Sequence, residues 1–485
     1  MAIAPGGSDP LARRARETPD RPALIVPALD ESVTFGDLDR RVDATAAALD
    51  VRTATGRIGL CVADREVFVR LVGAIWRIGG SVVVLDPDAP ARALRERASA
   101  ADIAALVSGS TVDIGPGGDP FGAALDAPVV GVDSLRGDPD EAPPSADWPA
   151  DREAVVAFTS GTTGTPQGVR LDVRTLAASV RGWADRLGPA ADRWFDPLPV
   201  HHMGGFMPIV RALGLGTPVA IERSPDPTRL AEILADRPLS GVSLVPTQLS
   251  DLLATGWEPP ETLDAVLVGG APITVELRER ALDRGVPLWP TYGTTETASG
   301  IAIARPADLD DHPETVGRPL AGLDVTICDP ETGDRRAPGA TGEIVVDGAG
   351  VTPGYLDDAG EWTAMGLRTG DIGHLADGHL VVDGRLDDRI ITGGETVDPG
   401  EVEAVLAEYS AVDRVAVVGR PDDRWGERVV AAVRPAVERL TIPDLDAYAS
   451  QNLAPPKRPR EWALVESLPR TASGTVDRRA VRDWF

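Results

Sequence analysis

Short apolar runs alternate with helical patterns along most of this chain. The runs Ile58–Val62 and Ser81–Leu85 are bounded by polar residues or glycine, as buried strands commonly are. Between them, Val67–Ile78 repeats its apolar residues at helical spacing. A second alternation covers about Ala154–Val325 and includes the apolar run Leu263–Val268. Strands that alternate with helices in this way predict an α/β fold.

Two other segments carry little helical pattern. The segment Ala337–Gly384 is rich in Gly and Asp and contains the short β-like runs Glu343–Val346 and His379–Val382. It predicts a small β-rich subdomain. Residues 112–150 are rich in Gly, Asp and Pro and are predicted to form surface connections rather than a domain boundary.

The sequence encodes a helix start at Asp398-Pro399-Gly400-Glu401. Asp398 suits the N-cap, Pro399 suits the first helical position, and Glu401, three residues after the cap, can complete a capping box. A new helix after the β-rich segment indicates that a second domain begins nearby.

The C-terminal residues predict a small α+β domain. The runs Val415–Val418 and Val429–Val433 are typical of strands. We place the domain boundary near Asp387, which gives an N-terminal domain of residues 1–386 and a C-terminal domain of residues 387–485.

Composition supports a multidomain globular protein. A chain of 485 residues is too long for one ordinary core, and 43% hydrophobic residues suffice for several. The two cysteines give neither a disulfide framework nor a metal-binding spacing. Neither an apolar run of membrane-spanning length nor a signal-peptide core is present, so we expect a cytoplasmic protein without membrane insertion.

The charge is strongly negative. Forty-eight basic residues stand against 75 acidic ones, for a net charge of −27, and Lys457 is the single lysine. A GC-rich genome accounts for arginine in place of lysine but not for the acid excess. An acidic surface suits a halophile's cytosol, where molar salt screens the mutual repulsion of carboxylates. The same charge argues against nucleic acid or an anionic membrane as a partner.

A loop rich in glycine and hydroxyl residues follows the apolar run Ala154–Ala157. Such residues let backbone N–H groups converge and add donors, so the loop can hold a polyphosphate. It is not a Walker loop, because Gly-Lys-Ser/Thr does not follow. The alternative is a flexible Gly/Thr turn. The candidate ligands are Thr159, Ser160, Gly161, Thr162, Thr163 and Gly164.

Further motifs follow this loop along nearly the whole chain. Together with the loop they resemble, in order, the motifs of the adenylate-forming superfamily, which includes acyl-CoA synthetases, luciferases and peptide-synthetase adenylation domains. The resemblance implies two stacked α/β subdomains and a β-rich subdomain in a large N-terminal domain, and a small mobile C-terminal α+β domain. The matching segments are Pro199–Gly205, Gly269–Pro272, Tyr292–Glu296, Thr369–Asp371, Gly384–Asp388, Gly393–Glu395 and Pro469–Thr475.

The resemblance implies adenylation, in which a carboxylate attacks the α-phosphorus of ATP and pyrophosphate leaves. The glycine-rich loop would hold the β- and γ-phosphates. Thr295 would hydrogen-bond the α-phosphate, and Glu296 would help to hold Mg²⁺, a hard cation that prefers carboxylate oxygen. Catalysis would consist of positioning donors and cations around the phosphate charge.

The nucleoside half of ATP has its own candidate residues. By resemblance, Tyr292 would stack on adenine, and Gly270 and Ala271 would form the facing backbone edge. Asp371 would accept both ribose hydroxyls, and Arg385 would add a contact to the same sugar. A single acidic residue in a loop is usually only solvated, but several within ordered motifs favour a binding role.

The acid is expected to lie near His202, which the resemblance assigns to the acyl pocket. The neighbouring His201 stands where many relatives carry an aromatic residue, so the pocket mouth should be more polar. Arg211 is a candidate for a second substrate carboxylate, and an ordinary surface arginine is the alternative. The walls of the pocket fall in the least patterned segments, Pro199–Leu215 and Val242–Leu253.

The second half-reaction transfers the acyl group to a thiol. The resemblance implies rotation of the C-terminal domain about Asp387, which brings Gly393 and Gly394 to a pantetheine tunnel. Glycine suits that place because the narrow thioester arm must pass close to the backbone. A carrier domain is not present after the ligase core, so free CoA is favoured over a carrier protein as acceptor. The sequence leaves the oligomeric state open.

One departure concerns the C-terminal motif, where relatives carry a lysine and this chain has Thr475. Loss of that cation costs about 2–4 kcal/mol, or roughly thirty- to a thousandfold in rate. Arg478 or Arg479 could replace it, Lys457 could replace it, or the enzyme could perform mainly the thioester-forming step. A degenerate, non-catalytic relative would explain Thr475 but not the retention of Glu296 and the other ATP-site residues.

Overall fold

The structure is a computed structural model. It describes residues 7, 9–50, 56–109, 127–143, 145–159, 167–222, 226–357, 360, 362–386, 388–392, 395–422, 424–437, 439–470 and 476–485. The predicted ligands Ser160, Gly161, Thr162, Thr163, Gly164, Gly393 and Gly394, the predicted hinge Asp387, and Thr475 lie outside these residues. A search of the described residues for a helix able to cross a membrane finds none.

The described helices, in chain order, are α1 (Pro10–Glu17), α2 (Phe35–Asp50), α3 (Arg65–Arg77), α4 (Ala91–Ala100), α5 (Val173–Leu187), α6 (Met203–Leu215), α7 (Pro227–Asp236), α8 (Pro246–Ala254), α9 (Val275–Asp283), α10 (Asp308–Asp311), α11 (Pro399–Ala407), α12 (Ile442–Asn452) and α13 (Arg478–Arg482).

The described strands, in chain order, are β1 (Pro22–Val26), β2 (Glu31–Thr34), β3 (Arg57–Cys61), β4 (Ser81–Val84), β5 (Ala105–Ser108), β6 (Val129–Gly131), β7 (Glu153–Thr159), β8 (Gln167–Asp172), β9 (Trp194–Asp196), β10 (Val219–Ile221), β11 (Gly241–Leu244), β12 (Ala265–Val268), β13 (Leu288–Tyr292), β14 (Ala302–Ile303), β15 (Arg318–Pro319), β16 (Leu323–Cys328), β17 (Gly342–Gly348), β18 (Gly354–Tyr355), β19 (Trp362–Thr363), β20 (Gly366–Ala376), β21 (His379–Arg385), β22 (Ile390–Thr392), β23 (Glu395–Val397), β24 (Val412–Asp422), β25 (Gly426–Pro435) and β26 (Glu461–Leu464).

The chain divides into two compact units. The first comprises Met1–Gly269, Val275–Val325 and Val346–Leu367, and the second comprises Gly270–Thr274, Thr326–Val345 and Arg368–Phe485. The second unit therefore includes residues 368–386, which the sequence assigns to the N-terminal domain. Within that unit the side chain of Arg368 pairs with Glu343, which ties these residues to the preceding strand. The boundary near residue 387 stays a prediction.

The first unit contains two large sheets. One has nine strands in the order β15-β14-β13-β12-β11-β9-β10-β1-β2, and the other has seven in the order β18-β8-β7-β4-β3-β5-β6. The central pairs β3–β4 and β4–β7 are parallel, and strands such as Ser81–Val84 are buried along their whole length. Continuous apolar runs are what parallel strands covered on both faces require. The α/β prediction is confirmed.

One expectation for residues 112–150 is partly wrong. Val129–Gly131 forms strand β6, which pairs in parallel with β5 at the edge of the seven-stranded sheet. Only Val130 in this strand is buried, so its hydrophobic signal is too short to separate it from a loop.

The β-rich subdomain is confirmed. A five-stranded sheet has the order β16-β17-β20-β19, and β21 pairs with β20 in an antiparallel hairpin. The positive φ of Gly378, 81°, fits the tight turn between β20 and β21.

The C-terminal part of the second unit forms an α+β fold. Its sheet has the order β23-β22-β25-β24, with β26 beside β25, and α11 packs on β24. Asp398 caps α11 as predicted, since its Oδ1 accepts from the N–H of Gly400 at 2.7 Å. The second half of the predicted capping box is not formed among the described contacts, because the carboxylate of Glu401 pairs with Lys457 instead.

Candidate active site

The carboxyl ends of four parallel strands define one edge of the nine-stranded sheet. Strands β9, β11, β12 and β13 are mutually parallel neighbours, so their following residues emerge on the same side. Of these strands, β9, β12 and β13 lead into the predicted motif segments Pro199–Gly205, Gly269–Pro272 and Tyr292–Glu296. Ligands of open α/β sheets bind at such an edge.

The predicted phosphate loop is bounded by an antiparallel strand pair. Thr159 ends β7 and pairs with Gln167, which begins β8. The loop residues 160–166 themselves lie outside the described part of the chain. Both β7 and β8 contact the 3₁₀ turn Thr295–Thr297, so Thr159 and the acidic motif belong to one region of the first unit.

The acidic motif lies on a short, well-defined turn. Thr294 precedes it, with its backbone N–H donating to Thr297 Oγ1 at 3.2 Å. Gly293 has no room for a side chain, because a Cβ there would lie 2.5 Å from the backbone of Ser299. These two contacts fix the backbone on either side of the turn that carries Thr295 and Glu296.

The carboxylate of Glu296 is held by a tyrosine that the sequence patterns do not reveal. Tyr355, on β18, donates its hydroxyl to Glu296 Oε1 at 3.0 Å. The N–H of Thr352 donates to the backbone carbonyl of Glu296 at 2.7 Å. Burial, followed by the charge of Glu296, raises the pKa of Tyr355, so its hydroxyl stays a donor at neutral pH. Tyr355 lies 59 positions from Glu296, beyond any local pattern.

Glu296 could hold Mg²⁺ only together with oxygen atoms of a bound ligand. The described residues contain no group of three His, Cys, Asp or Glu side chains that could hold a metal ion by itself. Mg²⁺ commonly takes one or two protein carboxylates and completes its shell with substrate phosphates and water. A half-buried carboxylate with one oxygen oriented by Tyr355 suits that arrangement.

Two of the residues that follow Glu296 adopt a backbone conformation that residues other than glycine rarely take. Ala298 and Ser299 have φ values of 48° and 68°. Positive φ in consecutive residues other than glycine costs energy and persists where surrounding contacts impose it. Here Ser179 Oγ donates to the carbonyl of Ala298 at 3.0 Å, and the turn presents Ser299 Oγ to Arg211.

Arg211 is a buried cation on helix α6. It is 8% exposed, so the alternative of an ordinary surface arginine is wrong. Its Nη2 donates to Ser299 Oγ at 2.7 Å, and its guanidinium lies 3.5 Å from the ring centroid of Trp183. Burial lowers the pKa of Arg211 to about 9, opposed by Asp196, which leaves it charged at neutral pH. A buried cation beside a hydroxyl is suited to an anionic group of a ligand.

The two histidines lie where the edges of both large sheets approach each other. His202 is the N-cap residue of α6, and its ring centroid lies 4.4 Å from that of His201. His201 Nδ1 lies 3.6 Å from Asp86 Oδ1, and Asp86 follows strand β4 of the other sheet. His202 caps helix α6, and Arg211 lies further along the same helix, so both belong to the first unit.

In the second unit the structure brings Asp371 and Arg385 together. They face each other across the β20–β21 hairpin, and Arg385 Nη1 donates to Asp371 Oδ1 at 3.1 Å. Asp371 is 6% exposed, and its N–H donates to Thr369 Oγ1 at 3.1 Å. An acidic side chain held at a defined point can accept a pair of hydroxyl groups.

Gly270 and Ala271 also belong to the second unit. Gly270 has a φ of 78°, a left-handed conformation that favours glycine. It is exposed and Ala271 is half-buried, so their backbone is accessible.

The candidates to replace the missing lysine differ in their contacts within the second unit. Arg478 binds Glu403 with both Nη atoms, at 2.6 and 2.9 Å, and also donates to the carbonyl of Val417. Although burial opposes its charge, Glu403 raises the pKa of Arg478. Lys457 pairs with Glu401, and Arg479 is exposed.

The predicted motif segments thus lie at the carboxyl edge of an α/β sheet, where enzymes of this fold class bind their ligands. The AMP-binding enzyme family matches residues 11–356, and its C-terminal domain matches residues 401–475. The chain belongs to the AMP-binding enzyme family.

Relatives and solved structures match the chain over nearly its whole length. The 2-succinylbenzoate–CoA ligase of Listeria monocytogenes is 30% identical over 483 residues, or 98% of each chain. The o-succinylbenzoate CoA synthetase of Bacillus subtilis, solved with the acyl-adenylate intermediate OSB-AMP, has a TM-score of 0.89 at 28% identity and 98% coverage of both chains. The same enzyme with ATP and magnesium ion has a TM-score of 0.88 at 28% identity, with 98% of this chain and 100% of that chain covered.

Proposed function

We propose that the protein is an ATP-dependent acid–CoA ligase, and that its acid is o-succinylbenzoate, as in menaquinone biosynthesis. The reaction forms an acyl-adenylate and pyrophosphate from acid and ATP, and then acyl-CoA and AMP from the adenylate and CoA. Full-length similarity to 2-succinylbenzoate–CoA ligases supports the reaction. The observation that supports the dicarboxylate is the buried, charged Arg211 beside Ser299.

The phosphates of ATP would lie between the β7–β8 loop and the turn Thr295–Thr297. Thr159, Ser160, Gly161, Thr162, Thr163 and Gly164 would hold the β- and γ-phosphates, and Thr295 would donate to the α-phosphate. Mg²⁺ supplies positive charge that stabilises the leaving pyrophosphate. Glu296 would hold it through a carboxylate oxygen that Tyr355 orients.

The adenine and the ribose of ATP each have their own proposed ligands. Tyr292 would stack on the adenine, and the backbone of Gly270 and Ala271 would face it. Asp371 would accept the two ribose hydroxyls, with Arg385 contacting the same sugar and the carboxylate. The pairing of Asp371 with Arg385 supports this proposal because it orients the carboxylate before ATP arrives.

The acid would be held along helix α6. His202 would contribute to the pocket near the reacting carboxylate, and Arg211 with Ser299 would receive the second carboxylate of the substrate. A buried cation of this kind disfavours fatty acids, which would leave it unpaired. An arylcarboxylate or fatty-acid ligase remains the second candidate.

CoA would receive the acyl group after rotation of the C-terminal domain about Asp387. Gly393 and Gly394 would line the path of the pantetheine arm. The neighbouring residues Thr392 and Glu395, which the structure describes, pair across strands β22 and β23. We propose free CoA rather than a carrier protein as the acceptor.

The protein is further proposed to act in the cytoplasm of a halophile. The net charge of −27 with a single lysine supports this setting. Such a surface is self-repelling at low ionic strength and is screened in molar salt.

The function is tested with purified protein in concentrated potassium chloride, with ATP, Mg²⁺, CoA and o-succinylbenzoate, benzoate or hexanoate. We expect o-succinylbenzoyl-CoA, AMP and pyrophosphate in equal amounts, and little product from the other acids. Activity with hexanoate or benzoate instead would contradict the proposed substrate. Thioester from a supplied acyl-adenylate without pyrophosphate release from any acid would identify an enzyme of the second half-reaction.

We further propose that Arg479 supplies the cation missing at Thr475. Arg479→Ala is expected to slow adenylation about thirtyfold, the cost of one charge-assisted donor. Lys457→Ala should change the rate less than about threefold, because exposed ion pairs contribute little. Arg478→Ala should mainly lower the midpoint of thermal unfolding, since it leaves Glu403 without its cation.

Pyrophosphate release in single-turnover conditions measures adenylation alone. Wild-type rates in all three variants would show that neither arginine nor the lysine compensates for Thr475. The thioester-forming step would then be the principal reaction.

A further inference from the structure

The loop that carries His202 is held by a residue far away in sequence. Arg65, the first residue of α3, is 7% exposed. Its Nη1 donates to the carbonyl of Asp196 at 2.5 Å, and its Nη2 donates to the carbonyl of Pro197 at 3.1 Å and to that of Leu198. A single guanidinium thus binds three consecutive carbonyls, from Asp196 at the end of β9 to Leu198.

The carbonyls of Pro197 and Leu198 lie beyond the end of strand β9, whose last residue is Asp196. The loop contains Pro197 and Pro199, which have no N–H to donate, so the segment cannot pair as a strand. Buried carbonyls without donors are costly. Arg65 therefore supplies donors that the local sequence cannot provide.

Asp196 holds the same segment from its side chain. It is fully buried, and its Oδ1 accepts from the N–H of Leu198 at 3.1 Å. Burial raises the pKa of Asp196 to about 7, and the positive charge of the neighbouring Arg65 opposes this shift. The segment is consequently held through its carbonyls by the side chain of Arg65 and through the N–H of Leu198 by the side chain of Asp196.

The position of His202 follows from the position of this segment. The N–H of His202 donates to the carbonyl of Pro199 at 3.1 Å. On the other side, a Cβ on Gly205 would lie 2.4 Å from the carbonyl oxygen of Pro199 and 2.7 Å from that of Leu198. The first turn of α6 is therefore packed directly on the carbonyl of Leu198, which Arg65 binds, and on that of Pro199, the next along the chain.

We propose that Arg65 is a positioning residue: it fixes the Asp196–His202 loop and so determines how the acid is held beside His202. This proposal rests on the proposed acid–CoA ligase activity. The side chain of Arg65 acts through the loop backbone and not on the substrate.

The test compares Arg65→Met and Arg65→Lys with Arg152→Met. Arg152 is a matched control, because it also donates to three backbone carbonyls of the first unit, those of Asp147, Trp76 and Gly80. We expect Arg65→Met to raise KM for the acid about 10- to 100-fold and to leave KM for ATP within about twofold. Arg65→Lys should restore part of the loss, and Arg152→Met should change neither constant even where it lowers Tm equally.

Hydrogen–deuterium exchange gives a readout independent of activity. Arg65→Met is expected to speed exchange at the N–H groups of His202 and Gly205, whereas Arg152→Met should leave them unchanged. If Arg65→Met speeds exchange but the wild-type enzyme activates none of the acids, the proposed ligase activity is refuted. The structural role of Arg65 in holding the loop would then still stand. Equal effects of Arg65→Met and Arg152→Met on KM for the acid would overturn the positioning role.

Discussion

Replacement of Arg211 with methionine is expected to lower kcat/KM for o-succinylbenzoate about 1,000-fold. The corresponding loss of transition-state stabilisation is about 4 kcal/mol. The reason is that the second carboxylate of the substrate would be buried against Trp183 and Ser299 with its cation removed. Methionine keeps an unbranched side chain of similar length, so that the packing of α6 changes little.

The matched substrate is 4-oxo-4-phenylbutanoate, which keeps the reacting carboxylate and lacks the ring carboxylate. Its kcat/KM should change less than about threefold in the Arg211→Met enzyme. Arg278→Met is the control variant, since Arg278 is equally buried, at 8% exposed, on helix α9. Equal losses for both acids would mean that Arg211 supports the fold through Trp183 and does not recognise a carboxylate.

The comparison of these two arginines shows where sequence patterns stop being informative. Arg211 lies on a helix whose first turn is recognisable, but its burial depends on Trp183 from α5 and on Ser299 from a distant turn. Neither contact has a sequence spacing that a local pattern can detect. The sequence pattern alone does not decide whether Arg211 is a surface arginine or a ligand for a carboxylate. The tertiary contacts exclude the surface arginine.

The elements of the fold were predictable because their signals are local. The strand before the predicted phosphate loop follows from an apolar run, and the cap of α11 follows from Asp398-Pro399. Edge strand β6 was missed because only one of its residues is buried. Short edge strands carry little hydrophobic signal, since much of their surface faces solvent.

The residues that orient the site were the hardest to predict. Tyr355 and Arg65 act on Glu296 and on the His202 loop from 59 and more than 130 positions away. Each lies in an ordinary strand or helix start, and its role depends on what the fold places opposite it. Motifs identify groups that meet the ligand, whereas the supporting contacts are fixed by packing.

Glu296→Gln is expected to lower the rate of adenylation about 1,000-fold and to leave thioester formation from a supplied acyl-adenylate within about threefold. Glutamine keeps the shape of the side chain and can still accept from the hydroxyl of Tyr355. It removes the negative charge that a hard cation prefers, and the cost of about 4 kcal/mol falls on the step in which pyrophosphate leaves. Single-turnover pyrophosphate release and acyl-CoA formation measure the two steps separately.

Tyr355→Phe tests the contribution of the tyrosine hydroxyl separately from that of the Glu296 carboxylate. It removes the hydroxyl that orients Glu296 Oε1 but keeps the charge, so we expect adenylation to fall only about five- to tenfold. The Mg²⁺ concentration at half-maximal protection of the ATP complex against thermal unfolding should rise in both variants, and more in Glu296→Gln. A Glu296→Gln enzyme that lost both half-reactions equally would show that Glu296 maintains the turn after β13 rather than the metal.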